Sequence, residues 1–358
     1  MTTPPSAEGT ALPVLDGPTP AAVTEPPTAT FARVDETLLA AIRSSGAAKV
    51  VLQVPAGLVR DAHALAARIH DGTGVPVVLA VRPCFGACDP PSASESAGAE
   101  LAVLLGHAPI PNIRMPLPTF FVEMREPGGD PGRLAQIVHD AGLPARLGVV
   151  ASVQHLDLVP ALVAALAERG HDARTGSGGP RLRYAAQALG CNYTPAEAVA
   201  ADVDAFVFLG TGRFHPIGLA FAVDRPVYAL DPLQGLLDGP IDRAGLVRRR
   251  QLLVASVRDA RRWGILASTF PGQDRQPMAL ALKRRAEARG REAQVLVFDR
   301  LDARDLEGRD LDAYVSTACP RIALDDSALY PRPLLTPPEF LMALGELPLE
   351  PYRFDTYH

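Results

Sequence analysis

Cys88, Cys191 and Cys319 lie more than a hundred residues apart, each in a short turn-like stretch: Gly86-Ala-Cys-Asp89, Leu189-Gly-Cys-Asn192 and Ala318-Cys-Pro-Arg321. Thiolates are soft ligands. Three of them drawn from separate parts of a chain can hold a 4Fe-4S cluster and leave its fourth iron open to a substrate. Small neighbours at each cysteine leave space for a bulky inorganic group. Spacing alone leaves open the ordinary alternative, three buried apolar thiols.

The fourth cysteine, Cys84, makes a C-x-x-x-C pair with Cys88, which invites comparison with the C-x-x-x-C-x-x-C loop of ordinary radical enzymes that use S-adenosylmethionine. The third position of that loop falls on Pro91. Cys84 is therefore expected to be a buried small residue. His107, His155 and His215 follow apolar runs and are expected to be hydrogen-bonded structural residues. Gly210-Thr-Gly212 lacks the further glycine of a dinucleotide fingerprint, so nucleotide phosphate binding is discounted.

These residues must be positioned by regular elements, and the sequence marks them. Lys49–Val54, Leu147–Val153 and Trp263–Ser268 read as buried strands, each followed by a loop and then a helical stretch: Leu58–Ile69, Leu158–Arg169 and Met278–Arg289. Gly72, Gly170 and Gly290 stand where left-handed helix caps favour glycine. Further strands are expected over 75–81, 101–105, 205–209, 227–230, 295–298 and 313–316, and a sheet-packed helix over 245–262.

Strands alternating with helices imply an α/β fold of three related subdomains, each a small parallel sheet with flanking helices, around a central site. The expected divisions are a disordered tail over 1–30, poor in large apolar groups, then 31–125 with Cys88, 126–240 with Cys191 and 241–358 with Cys319. Ligand sites in open α/β sheets lie beyond the carboxyl ends of the strands. The loops there carry Gln53, His155, Gln273 and Ala318–Arg321. One mismatch stands: Cys88 follows a second strand, Cys319 a third.

Composition excludes other roles. Four cysteines in 358 residues argue against a disulfide framework, and no secretory signal or bilayer-spanning run is visible. A cytoplasmic protein without a membrane role is expected. A net charge of -5 offers no footprint for nucleic acid. The basic run Arg248-Arg-Arg250 reads as the solvated face of a helix.

Taken in order, Leu52–Leu58, Phe85-Gly-Ala-Cys-Asp89, Gly106-His107, Val153-Gln-His155, Leu189-Gly-Cys191, Gly212–Pro216, Phe270-Pro-Gly-Gln273, Ala318–Asp325 and Pro333–Pro337 resemble the diphthamide synthase family, the archaeal type of 2-(3-amino-3-carboxypropyl)histidine synthase. The resemblance implies a transferase with a 4Fe-4S cluster on Cys88, Cys191 and Cys319 and S-adenosylmethionine at the open iron. It further implies transfer of the 3-amino-3-carboxypropyl group, as a radical, to C2 of a histidine in translation elongation factor 2. An electron donor and a homodimer are implied as well. Within it, Arg321 and Gln273 are expected at the cofactor's amino-acid end, Asp325 or Asp326 at its ammonium group, and Gln53 and His155 elsewhere in the cofactor site. Arg321 has an alternative on spacing alone, a surface ion pair with Asp325 or Asp326. Two other functions are weighed: a quinolinate synthase-like cluster dehydratase and a non-catalytic cluster-bearing partner subunit.

Overall fold

The computed structural model describes residues 30–126 and 128–357. The stretch expected to be a disordered tail lies outside them, Thr30 excepted. Strands and helices alternate and assemble into three sheets. The first holds β1 (Thr30–Phe31), β2 (Val50–Gln53), β3 (Val77–Leu79), β4 (Leu101–Leu105) and β5 (Thr119–Val122), in the order β1-β5-β4-β2-β3. The second holds β6 (Arg146–Ala151), β7 (Asp172–Arg174), β8 (Ala205–Leu209), β9 (Val227–Asp231) and β10 (Leu236–Asp238), ordered β10-β9-β8-β6-β7. The third holds β11 (Arg262–Ser268), β12 (Glu292–Phe298), β13 (Ala313–Ser316) and β14 (Leu334–Leu335), ordered β12-β11-β13-β14. Every pairing is parallel except that of β9 with β10.

Setting aside the edge strands β1 and β10, the three sheets share one plan. In each, the strand that comes first in the chain lies between the second and the third, with the fourth beyond the third. Each therefore has a switch point between its first and third strands, and loops leaving the carboxyl ends of those strands diverge there to open a crevice. Cys88 lies between β3 and β4 and Cys191 between β7 and β8, whereas Cys319 follows β13. Two thiols thus come from the connection between second and third strands and one from the end of a third strand.

Both faces of each sheet are covered, which is why the strands read as continuous apolar runs rather than alternating ones. In the first sheet Val50 and Leu52 face a layer with Leu38, Ile42 and Ile69, while Val51 faces the opposite layer with Leu104 and Phe121. Val149 and Val150 divide in the same way in the second sheet, and Ile265 and Leu266 in the third. No described helix is long and apolar enough to cross a membrane.

Helix boundaries depart from the sequence reading in instructive ways. Ala56–Leu58 is a 3-10 turn, and the α-helix after it is Ala62–Thr73, capped by Gly74 in the left-handed region (φ 72). Gly72 is not the cap: it sits in the last turn, where an added Cβ would lie 2.6 Å from Leu39 Cδ1. Close helix approach selects the glycine there. The helix placed over 245–262 runs Arg243–Ser256, and Arg262 already begins β11. Gly170 and Gly290 do follow their helices with positive φ.

The basic run holds a clear correction. Arg248 and Arg249 are exposed, but Arg250 is 5% exposed and faces inward, since three consecutive residues sweep most of a helical turn. Its Nε and Nη2 donate to the two carboxylate oxygens of Glu339 at 2.8 and 2.7 Å, and its remaining donors reach Ala323 O and Leu334 O. Tyr352 Oη donates to the same carboxylate at 2.9 Å. Arg250→Ala strands a buried carboxylate. It is expected to lower unfolding stability by about 3–5 kcal/mol, read from urea denaturation.

Candidate metal centre

The Cys88 loop is built around a buried carboxylate. Asp89 accepts hydrogen bonds from the backbone N–H of Phe85 and Gly86 at 3.1 and 3.0 Å, which folds residues 85–89 into a closed turn. Arg82 anchors that turn, donating to Asp89 Oδ2 at 2.8 Å and to both oxygens of Glu95. Its guanidinium lies 4.7 Å above the Phe270 ring, so the loop is docked on the third unit as it forms. Gly272 N donates to Cys88 O at 3.3 Å across the same seam.

Cys191 occupies the tip of a tight turn closed by reciprocal hydrogen bonds between Leu189 and Asn192, 3.0 and 3.1 Å. Asn192 Oδ1 caps the following residues by accepting from Thr194 N and Oγ1, and its Nδ2 donates to Tyr357 O at 2.6 Å. Cys319 directly precedes the short helix Pro320–Leu324, and proline at its first position fixes the chain direction there.

Gln273 joins two of these loops. Its Nε2 donates to Cys88 Sγ at 3.5 Å while its Oε1 accepts from Cys319 N at 3.3 Å. Cys88, Cys191 and Cys319 are each partly buried as residues. Burial pushes all three up, Cys319 to about 12; Cys88 is also raised by Asp89 and by the negative charge of the other two thiols. Arg181 and Arg275 oppose this at Cys191. The metal-free thiols are protonated at neutral pH, so binding iron releases protons.

Cys84 is 2% exposed, with Leu105 O at 4.0 Å and His107 Nδ1 at 3.6 Å, the buried small residue its motif suggested. Burial pushes His107 and His215 down to about 4, leaving both neutral. The other sequence-selected residues divide. Arg321 is buried, not at the surface. Its Nη2 donates to Asp325 Oδ1 and Phe214 O at 2.8 Å each, its Nε lies 2.6 Å from Asp325 Oδ2, and its guanidinium stacks 4.2 Å over Phe214. Nη1 has no partner. Burial pushes up the Asp325 and Asp326 carboxyls, against the pull of Arg321.

Gln53 is fully buried and donates to Arg82 O at 3.3 Å, which ties it to the Cys88 loop, and its Oε1 lacks a partner. His155 is buried with Nδ1 unpartnered, and the charges it feels are Asp231 and Glu126 rather than a cysteine loop. Its neighbour Gln154 donates to Gly106 O at 2.6 Å, joining the first unit to the second.

A family model of diphthamide synthesis proteins matches residues 54–353, a span that contains all three cysteine loops. The chain belongs to this family. The 2-(3-amino-3-carboxypropyl)histidine synthase of Pyrococcus horikoshii is 32% identical over 89% of this chain and 91% of its own length. Subunit 1 of the Gallus gallus 2-(3-amino-3-carboxypropyl)histidine synthase is 30% identical over 88% of this chain and 78% of its own. The crystal structure of Dph2 from Pyrococcus horikoshii with a 4Fe-4S cluster superposes with a TM-score of 0.82 at 30% identity, covering 91% of this chain and 94% of that one.

Among the described residues no three His, Cys, Asp or Glu side chains close on one ion. Three cysteine thiols are a soft donor set of the kind that iron–sulfur clusters take. Sequence reasoning missed Arg82, Arg181, Arg275 and Tyr357. Arg82 had a local signal, the acidic residues at 89 and 95 that pair with it. The other three act across units and leave no trace in spacing.

Proposed function

We propose that this chain transfers the 3-amino-3-carboxypropyl group of S-adenosylmethionine to C2 of a histidine imidazole in translation elongation factor 2, using a 4Fe-4S cluster on Cys88, Cys191 and Cys319. The observation that carries the reading is Gln273, which links the Cys88 and Cys319 loops while the Cys191 turn lies within charge range of both. When bound and reduced, such a cluster supplies the electron that breaks the bond from sulfur to the methionine γ-carbon, with methylthioadenosine as the other product.

The protein's own task is to hold the cosubstrate in register and exclude competing reactions. Arg321 and Asp325 set a cation beside an anion, the complement of a zwitterionic amino-acid end, with Asp326 as a second acceptor for the ammonium group. Gln273 lies next to that end through its bond to Cys319 N. Gln53 and His155, each with an unpartnered buried atom, are assigned to the remainder of the cosubstrate site. We extend the reading to a cytoplasmic homodimer served by a separate electron donor.

The deciding experiment is anaerobic reconstitution with iron and sulfide, reduction with S-adenosylmethionine, and mass spectrometry of the small-molecule product and of elongation factor 2. Methylthioadenosine and a modified histidine are expected. An intact cluster that yields no methylthioadenosine would instead support a dehydratase, and 5'-deoxyadenosine alone would refute the bond cleavage. Arg321→Ala is expected to weaken S-adenosylmethionine binding about ten- to a hundredfold, the worth of a charge-assisted hydrogen bond, with the cluster absorbance unchanged.

A further inference from the structure

Tyr357 lies outside the span shared with the family model, yet it bonds to both the Cys191 turn and the Cys319 loop. Its backbone N–H donates to Cys191 O at 2.9 Å, and its carbonyl accepts from Asn192 Nδ2 at 2.6 Å, so two hydrogen bonds tie it to the Cys191 turn. Its phenol donates to Thr317 O at 2.9 Å, two residues before Cys319, and lies 3.5 Å from Gln273 O. The ring is held between two guanidinium groups, Arg275 at 3.8 Å and Arg181 at 4.9 Å.

Those arginines belong to the cysteine loops. Arg275 donates to Thr317 O and Ala318 O, and Asp355 receives its other nitrogens at 2.9 and 2.5 Å. Arg181 donates to Gly272 O at 3.0 Å, and its positive charge acts on the Cys191 thiol. Gly272 in turn donates to Cys88 O. One buried tyrosine therefore connects, directly or through one partner, to all three loops.

We propose that Tyr357 is a positioning residue for the thiol site: it fixes the Cys191 turn against the Cys319 loop and holds Arg181 and Arg275 beside the thiols. The inference rests on the cluster reading above. A reduced cluster carries more negative charge than an oxidised one, so cations held near its sulfurs raise its reduction potential. Releasing them lowers it.

Tyr357→Phe keeps the ring between the arginines and loses only the phenol's bonds to Thr317 O and Gln273 O; Tyr357→Ala loses the ring contacts as well. In metal-free protein, Tyr357→Ala is expected to speed alkylation of Cys191 and hydrogen exchange at 189–193 and 317–319 by about tenfold, the worth of one hydrogen bond with a cation–π contact. Tyr357→Phe should raise exchange at 317–319 alone, a pattern that general unfolding would not give. In the reconstituted protein, an EPR-monitored redox titration should place the midpoint potential of Tyr357→Ala below wild type, with Tyr357→Phe close to wild type. Wild-type alkylation and exchange in both variants, or an unchanged potential in Tyr357→Ala, would overturn the inference. Wild-type protein that takes up no iron under the same conditions would overturn the cluster reading, while the metal-free measurements still decide whether Tyr357 orders the loops.

Discussion

Cys191→Ala is expected to give a folded protein that stays colourless after anaerobic reconstitution and forms no methylthioadenosine. The turn at 189–192 is closed by backbone hydrogen bonds and by Asn192, so losing the sulfur leaves the fold in place. What disappears is one of the three proposed anchors to iron. Cys88→Ala and Cys319→Ala should behave alike, because each loop has its own support, Asp89 with Arg82 in one and Pro320 with Gln273 in the other. Cys84→Ala supplies the contrast. It should keep the full iron content and the cluster absorbance, with a stability change of about 1 kcal/mol for a lost buried sulfur. Iron analysis, visible absorbance and far-ultraviolet circular dichroism separate the cases. A Cys191→Ala protein with wild-type iron and spectrum would remove the ligand assignment.

Gly272→Ala should have the next largest effect, through a different route. A Cβ at position 272 would overlap Cα and Cβ of Cys88 and lie 2.7 Å from Ile113 Cδ1. The first of these obstacles is backbone, which cannot swing aside as a flexible side-chain end can. Relief comes only by separating the third unit from the Cys88 loop, which also breaks the bond from Gly272 N to Cys88 O. Overpacking of this kind costs about 1–3 kcal/mol. The expected result is a lowered thermal midpoint and little retained iron, although no ligand has changed. Gly57→Ala is the matched control, since an added Cβ there meets nothing within 4 Å. Equal iron retention in the two variants would show that the tight seam does not place Cys88.

How far the sequence reached can be stated residue by residue. β4, β8 and β13 coincide with the apolar runs at 101–105, 205–209 and 313–316, because strands buried on both faces are apolar almost throughout, Ser316 being the exception. Short edge strands such as β1, β7 and β14 escaped notice: two or three residues, some of them charged, hold no period to detect. Arg250 was misplaced because a run of like charges says nothing about which member turns inward. Arg321 was legible as a partner of Asp325 from the i,i+4 spacing, but its burial under Phe214 was not. The three cysteine loops were legible through their small or glycine neighbours. The arginines and the tyrosine behind them were not, because they are assembled from residues 181, 275 and 357, which only folding makes neighbours.

The shared strand order of the three sheets has a consequence for ancestry. Three copies of one unit, joined end to end, reproduce the sheets, but they would present three thiols from the same connection. Here two thiols come from one kind of connection and the third from another. Triplication of one unit with its cysteine in place would not by itself give the proposed ligand set. Each sheet contributes one of the three proposed ligand thiols, so the sheet plan and the metal-binding trait need not share one history.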